Sequence, residues 1–159
     1  MARFADKVVI VTGGARGIGA MTAERLVAEG GRVLIADTNE ALGGALADRL
    51  GQTAKYLKVD VTDPASCQSA VDVAERDLGG VYGLVNSAIR MSPGALKDLP
   101  LADWKAVLEV GLNGTFLMSQ AVGRWLMQHE RKGAIVNLSS NGGLSPYSMS
   151  GAYSTTKAA

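Results

Sequence analysis

Lys7-Val8-Val9-Ile10-Val11-Thr12-Gly13-Gly14-Ala15-Arg16-Gly17-Ile18-Gly19 joins a short apolar run to a cluster of glycines. The apolar half is rich in β-branched residues, the pattern of a strand buried on both faces. The glycines that follow let the backbone turn sharply and let a ligand come close to the main chain. Their spacing is G-x-x-x-G-x-G, not the G-x-G-x-x-G dinucleotide fingerprint. A helical pattern follows directly, from about Ile18 to Glu29, with Ala20, Ala23, Leu26 and Val27 on one face. Gly30-Gly31 stops it. The amides and dipole at such a helix start favour an anion, and a pyrophosphate fits that description. Alone, a glycine-rich loop is a turn as often as a ligand site.

The chain beyond the loop raises the odds of a ligand. Arg32-Val33-Leu34-Ile35-Ala36-Asp37 reads as a second buried strand that ends in a carboxylate. Asp37 comes eighteen residues after Gly19, where an acidic residue accepts hydrogen bonds from an adenosine ribose and repels a 2′-phosphate. Its other reading is a helix cap, but Thr38 and Asn39 can serve that purpose. Arg16 pulls the other way, because a basic side chain in this loop could meet a 2′-phosphate. Asp37 is the better placed of the two, so NAD is expected over NADP.

Further strands and helices alternate. A helix from about Glu40 to Leu50 ends at Gly51, and Lys55 to Asp60 is a third strand. Asp60-Val61 at its end is placed to touch an adenine; equally, Asp60 is an ordinary strand-end residue. Asp63-Pro64 opens a helix by an N-cap followed by proline in the first turn. Ala70, Val71, Ala74 and Leu78 form its buried stripe. Gly83 to Ala88 is a short fourth strand with its exit, and Met91 to Pro100 is a loop. Leu101 to about Glu130 is helical in pattern but interrupted at Gly111-Leu112-Asn113-Gly114. Glycine in a helix interior is unfavourable by ~1 kcal/mol relative to alanine, so a kink or widened turn is expected there. These alternations imply a parallel sheet with helices on both faces.

The last part of the chain carries the chemistry. Ala134-Ile135-Val136-Asn137-Leu138 is expected to be a buried strand, which puts Ser140 at its carboxyl end, where open α/β sheets place ligands. Tyr153 and Lys157 are four apart and therefore one turn apart on one helix face. An ammonium beside a phenol favours the phenolate, which is what proton transfer near neutral pH needs. A Y-x-x-x-K pair by itself is weak evidence, since a surface tyrosine beside a solvated lysine has the same spacing.

Composition bounds the rest. The 159 residues, 47% of them hydrophobic, have the size of one domain with a core, and no linker or repeat divides them. Sixteen basic against fifteen acidic residues give no electrostatic argument for a nucleic acid or a membrane. The apolar run Val8 to Val11 is far too short to span a bilayer. Cys67 and His129 are the only residues of their kinds, which leaves no internal disulfide and no metal site of the usual His/Cys sort. Both are read as structural, Cys67 in an apolar helix face and His129 near a helix end. The lone thiol fits a reducing cytoplasm.

Taken together, the chain from about Phe4 onward resembles the short-chain dehydrogenase/reductase family. That family's T-G-x-x-x-G-x-G loop matches Thr12, Gly13, Gly17 and Gly19, and its catalytic tetrad falls on Asn113, Ser140, Tyr153 and Lys157. The resemblance implies a Rossmann-type doubly wound α/β sheet with strand order 3-2-1-4-5. It implies hydride transfer between a nicotinamide cofactor and a secondary alcohol or carbonyl, the small-molecule substrate. By the same resemblance, Tyr153 exchanges a proton with the substrate oxygen and Ser140 hydrogen-bonds that oxygen. Lys157 binds the nicotinamide ribose and favours the Tyr153 phenolate, and Asn113 holds a water that links Lys157 to solvent. The cofactor contacts expected are Gly13, Arg16, Gly17, Ile18, Gly19, Asp37, Asp60, Val61, Asn86 and Ala88, with Tyr153 and Lys157. A homodimer or homotetramer is implied for a complete chain.

Two departures stand out. The family usually reads Asn-Asn-Ala-Gly after the fourth strand, where this chain has Asn86-Ser87-Ala88-Ile89. Isoleucine adds bulk and restricts φ where glycine lets the backbone approach a cofactor. The chain also stops two residues after Lys157, whereas family members are considerably longer. A C-terminally incomplete chain is therefore expected, lacking the later strands and the substrate lobe. A non-catalytic NAD-binding module and an inactive fragment are the competing readings.

Overall fold

The computed structural model describes residues 2–159. Five strands, β1 (Val8–Thr12), β2 (Arg32–Asp37), β3 (Ala54–Lys58), β4 (Gly83–Asn86) and β5 (Ala134–Asn137), form one parallel sheet in the order β3-β2-β1-β4-β5. The first four strands are each followed by a helical crossover, α1 (Gly17–Ala28), α2 (Glu40–Leu50), α3 (Pro64–Leu78) and α4 (Leu101–Leu108) continuing into α5 (Gly114–Gln128), and α6 (Asn141–Leu144) and α7 (Gly151–Ala158) follow β5. The fold is the doubly wound arrangement that the alternation of strands and helices implied. β1 sits at its centre, paired in parallel with β2 from Val8↔Arg32 and with β4 from Val9↔Gly83.

Alternation of side chains along β1 explains why all five of its residues are buried. Val8 and Ile10 face one layer, packing with Leu34, Leu84 and the α3 and α5 residues Cys67, Val71, Met118, Val122 and Trp125. Val9 and Val11 face the other, with Val33, Ile35, Ala23, Leu26 and Leu46 of β2, α1 and α2. Cys67 is thus a core residue, and burial pushes its thiol up to about 11. His129 ends α5, stacked on Trp125, with Nε2 3.1 Å from Glu75 Oε1. Asp63 caps α3, accepting from Ala65 N at 3.0 Å and Ser66 N at 3.3 Å, with Pro64 in the first turn.

Two features of the second half differ in kind. The interruption at Gly111-Leu112-Asn113-Gly114 is a π-helical turn, Glu109–Asn113, between α4 and α5, the widened turn its glycines suggested. The expectation of a buried fifth strand is corrected: every residue of β5 is exposed, Val136 at 51%. Among the described residues β5 is an edge strand paired with β4, and an apolar run reads the same whether one or both of its sides are covered.

Candidate active site

The carboxyl ends of the strands open into a cleft of about 1070 Å³, large by the standard of small-molecule sites. Just before the glycine loop, the buried Thr12 accepts through its hydroxyl from Ser87 N at 3.1 Å and Ala88 N at 3.2 Å, locking the loop to the exit of β4. Gly13 and Gly17 have φ of +59° and +57°, a region that L side chains avoid. A Cβ on Gly13 would lie 2.8 Å from Ala88 Cα, while Gly17 has only open space where a Cβ would be. The loop delivers the chain to α1, where Arg16 provides no side-chain cap. The first amides of α1 therefore meet no capping oxygen, the condition under which a helix start accepts an anion.

Asp37 ends β2 and lines the same cleft. Its carboxylate accepts from Ala15 N at 3.0 Å and from Asn39 N at 2.9 Å. Asn39 rather than Asp37 caps α2, through Leu42 N at 3.0 Å. Asp60 and Val61 line the cleft beyond β3, with Asp60 Oδ1 accepting from Thr62 N and Oγ1 at 2.9 and 2.7 Å. Ala88, Ile89, Arg90 and Met91 form the wall after β4.

At the other end, α7 turns Tyr153 and Lys157 into the cleft from one face. Lys157 Nζ donates to Leu138 O at 2.5 Å. Burial pushes its pKa down, because desolvation penalises the ammonium. Of the residues expected from sequence, Gly13, Arg16, Gly17, Ile18, Asp37, Asp60, Val61, Ala88, Tyr153 and Lys157 all line this one cleft.

Four others stand outside its lining. Gly19 is buried where α1 packs on the loop, and a Cβ there would meet Gly13 O at 2.2 Å. Asn86 is buried and donates to Ser119 Oγ at 3.0 Å and Asn137 Oδ1 at 2.9 Å, tying β4 to α5 and β5. Asn113 is exposed at the end of the π turn. Ser140 caps α6, its Oγ accepting from Gly142 N at 3.0 Å, and its neighbour Ser139 lines the cleft. Ser139 was not singled out from sequence; the Ser-Ser doublet was its only signal.

The sequence profile described as short chain dehydrogenase matches residues 7–159. The chain belongs to the short-chain dehydrogenase family. It is 40% identical over 155 residues to 3-alpha-(or 20-beta)-hydroxysteroid dehydrogenase of Mycobacterium tuberculosis, covering 98% of this chain and 59% of that protein. It is 33% identical to galactitol 2-dehydrogenase of Agrobacterium fabrum, covering 99% of this chain and 61% of that one. With D-threitol dehydrogenase of Mycolicibacterium smegmatis it shares 41% identity, over 87% of this chain and 54% of that protein. The chain thus spans less than two thirds of the length of these relatives. Short-chain dehydrogenases use nicotinamide cofactors, NAD or NADP. The residues present fit such a group: an uncapped helix start, a glycine loop without side chains in the way, a strand-end carboxylate and a long cleft. No helix among the described residues is long and apolar enough to cross a membrane.

Proposed function

We propose that this chain is the cofactor-binding and proton-handling part of an oxidoreductase that interconverts a secondary alcohol and its carbonyl, with NAD preferred to NADP. The observation that carries the reading is the shared cleft: the glycine loop and Asp37 line one end of it, and Tyr153 and Lys157 the other. The bound nicotinamide supplies or accepts the hydride. The loop amides of Gly17 and Ile18 hold the pyrophosphate, and Asp37 takes the adenosine ribose and repels a 2′-phosphate. Asp60 and Val61 flank the adenine. Asn86 acts through the strands it ties together, whereas Ala88 meets the cofactor directly.

Lys157 has three donors, and Leu138 O uses one, which leaves two for the nicotinamide ribose. Tyr153, one turn away on the same helix and lining the same cleft, takes the proton of an alcohol or returns it to a carbonyl oxygen. Ser140 Oγ accepts from Gly142 N, so its own hydrogen is free to donate to that same substrate oxygen. Asn113, exposed at the end of the π turn, holds a water that links Lys157 to solvent. A homodimer or homotetramer for a complete chain, a cytoplasmic location and a single, C-terminally incomplete dinucleotide-binding unit over residues 1–159 complete the proposal.

Binding without turnover is the second reading, favoured by the position of Ser140 and Asn113 outside the cleft lining. Titration with NADH and NADPH, followed by turnover on a panel of secondary alcohols and ketones, separates the two. NADH should bind more tightly, and Tyr153→Phe should lower turnover about 100-fold or more. A preference for NADPH would sink the role given to Asp37. Saturable NADH binding with no turnover on any substrate would favour the binding module.

A further inference from the structure

Helix α7 carries Tyr153 and Lys157. Its place depends on what it touches. On one side is α6, where a Cβ on Gly143 would lie 2.4 Å from Lys157 O, 2.6 Å from the Lys157 carbonyl carbon and 2.9 Å from Ala158 N. These are main-chain atoms and cannot swing aside. Ser139 Oγ donates to the same Lys157 carbonyl at 3.1 Å, and Lys157 Nζ returns a bond to Leu138 O at 2.5 Å. The segment from Leu138 to Gly143 and the residue Lys157 therefore grip each other at three points.

On the other side is the π turn. A Cβ on Gly111 would lie 2.3 Å from Thr156 Cγ2 and 2.8 Å from Ile89 Cδ1. Thr156 is buried, with its hydroxyl donating to Ala152 O at 3.0 Å, and Ile89 lines the cleft. The residue that departs from the family pattern after β4 thus lies against the π turn at Gly111.

We propose that Gly143 and Gly111 are positioning residues: they form the two sides of a seat for α7 and set where Tyr153 and Lys157 stand in the cleft. Their catalytic consequence rests on the functional reading above; the seat itself does not. The two sides differ in what they press against. Gly143 meets backbone, so no neighbouring substitution makes room for a side chain there. Gly111 meets the ends of side chains, and Thr156→Ser removes the nearest of them while keeping the hydroxyl.

The test compares wild type, Gly143→Ala, Gly111→Ala and the double variant Gly111→Ala/Thr156→Ser. Amide hydrogen exchange is read without cofactor, with β1, β2 and β4 as internal reference, alongside NADH affinity and turnover. Each single variant should speed exchange in residues 151–158 about tenfold or more, with strand protection unchanged. Turnover should fall about a hundredfold, the scale of a misplacement of about 1 Å. The double variant should bring α7 exchange back to within about threefold of wild type.

Unchanged α7 exchange in both single variants overturns the proposal, as does failure of Thr156→Ser to restore it. Loss of strand protection together with α7 in Gly143→Ala also counts against it, because the seat would then be a global packing site. Should wild type bind no NADH and turn nothing over, the functional reading falls while the exchange comparison still decides the seat.

Discussion

The two ends of the cleft are built differently. At the cofactor end the glycine loop hangs from β1, a strand paired on both edges and buried along its whole length, and Thr12 and Asp37 bind the loop to β4 and β2. At the other end, after β5, Tyr153 and Lys157 ride on α7, which packs against α6 and the π turn. The first end inherits its shape from the core of the sheet. The second depends on a few close contacts, above all those of Gly143, Gly111 and Ser139.

The difference can be broken most directly with one valine from each end. Val11 is fully buried on β1, so Val11→Ala should destabilise by about 2–3 kcal/mol through lost burial and the cavity left behind. Val136→Ala on β5, half exposed, should cost under about 1 kcal/mol. Urea unfolding of both variants checks this, and equal losses would erase the contrast between the ends.

A gain is expected on the cofactor half, at Gly44 in α2, where a Cβ would meet nothing within 4 Å. Gly44→Ala should raise stability by about 0.5–1 kcal/mol with NADH affinity unaltered, measurable as a higher Tm. A loss there would mean that α2 is constrained in a way its contacts do not reveal.

The smallest effect concerns Glu29, just beyond α1, bonded to Arg3 and to Arg25 at 2.5 Å. Hydrogen bonds from Arg3 and then Arg25 hold its carboxyl down to about 2, against an ordinary value of 4.5. Since the folded value is the lower, this contribution to stability is complete above the ordinary carboxylate range and is lost as pH falls through about 2. Both arginines are mostly exposed, so salt should weaken it. Glu29→Gln should melt slightly below wild type at neutral pH and converge with it in strong acid. A difference that persists at pH 2 would point to packing rather than charge.

Much of this molecule is open to reading along the chain, because its determinants are local. Strands in a parallel sheet show as apolar runs, helices as stripes that end at glycine, and β1, β2, α2 and the Asp63 cap lie where those rules put them. The pair Tyr153 and Lys157 shares one face because four residues make about one helical turn. The two glycines around Asn113 announced an irregular turn, since an α-helix interior disfavours them.

Other properties have no local signature. Whether Asp37 caps a helix or faces the cleft was settled by Asn39 taking the cap of α2, a competition between adjacent residues that composition does not rank. The close approaches of Gly143 to Lys157 and of Gly111 to Thr156 join segments far apart in the chain. They arise only when helices pack, because steric contact is a property of three-dimensional proximity and leaves no mark on the order of residues.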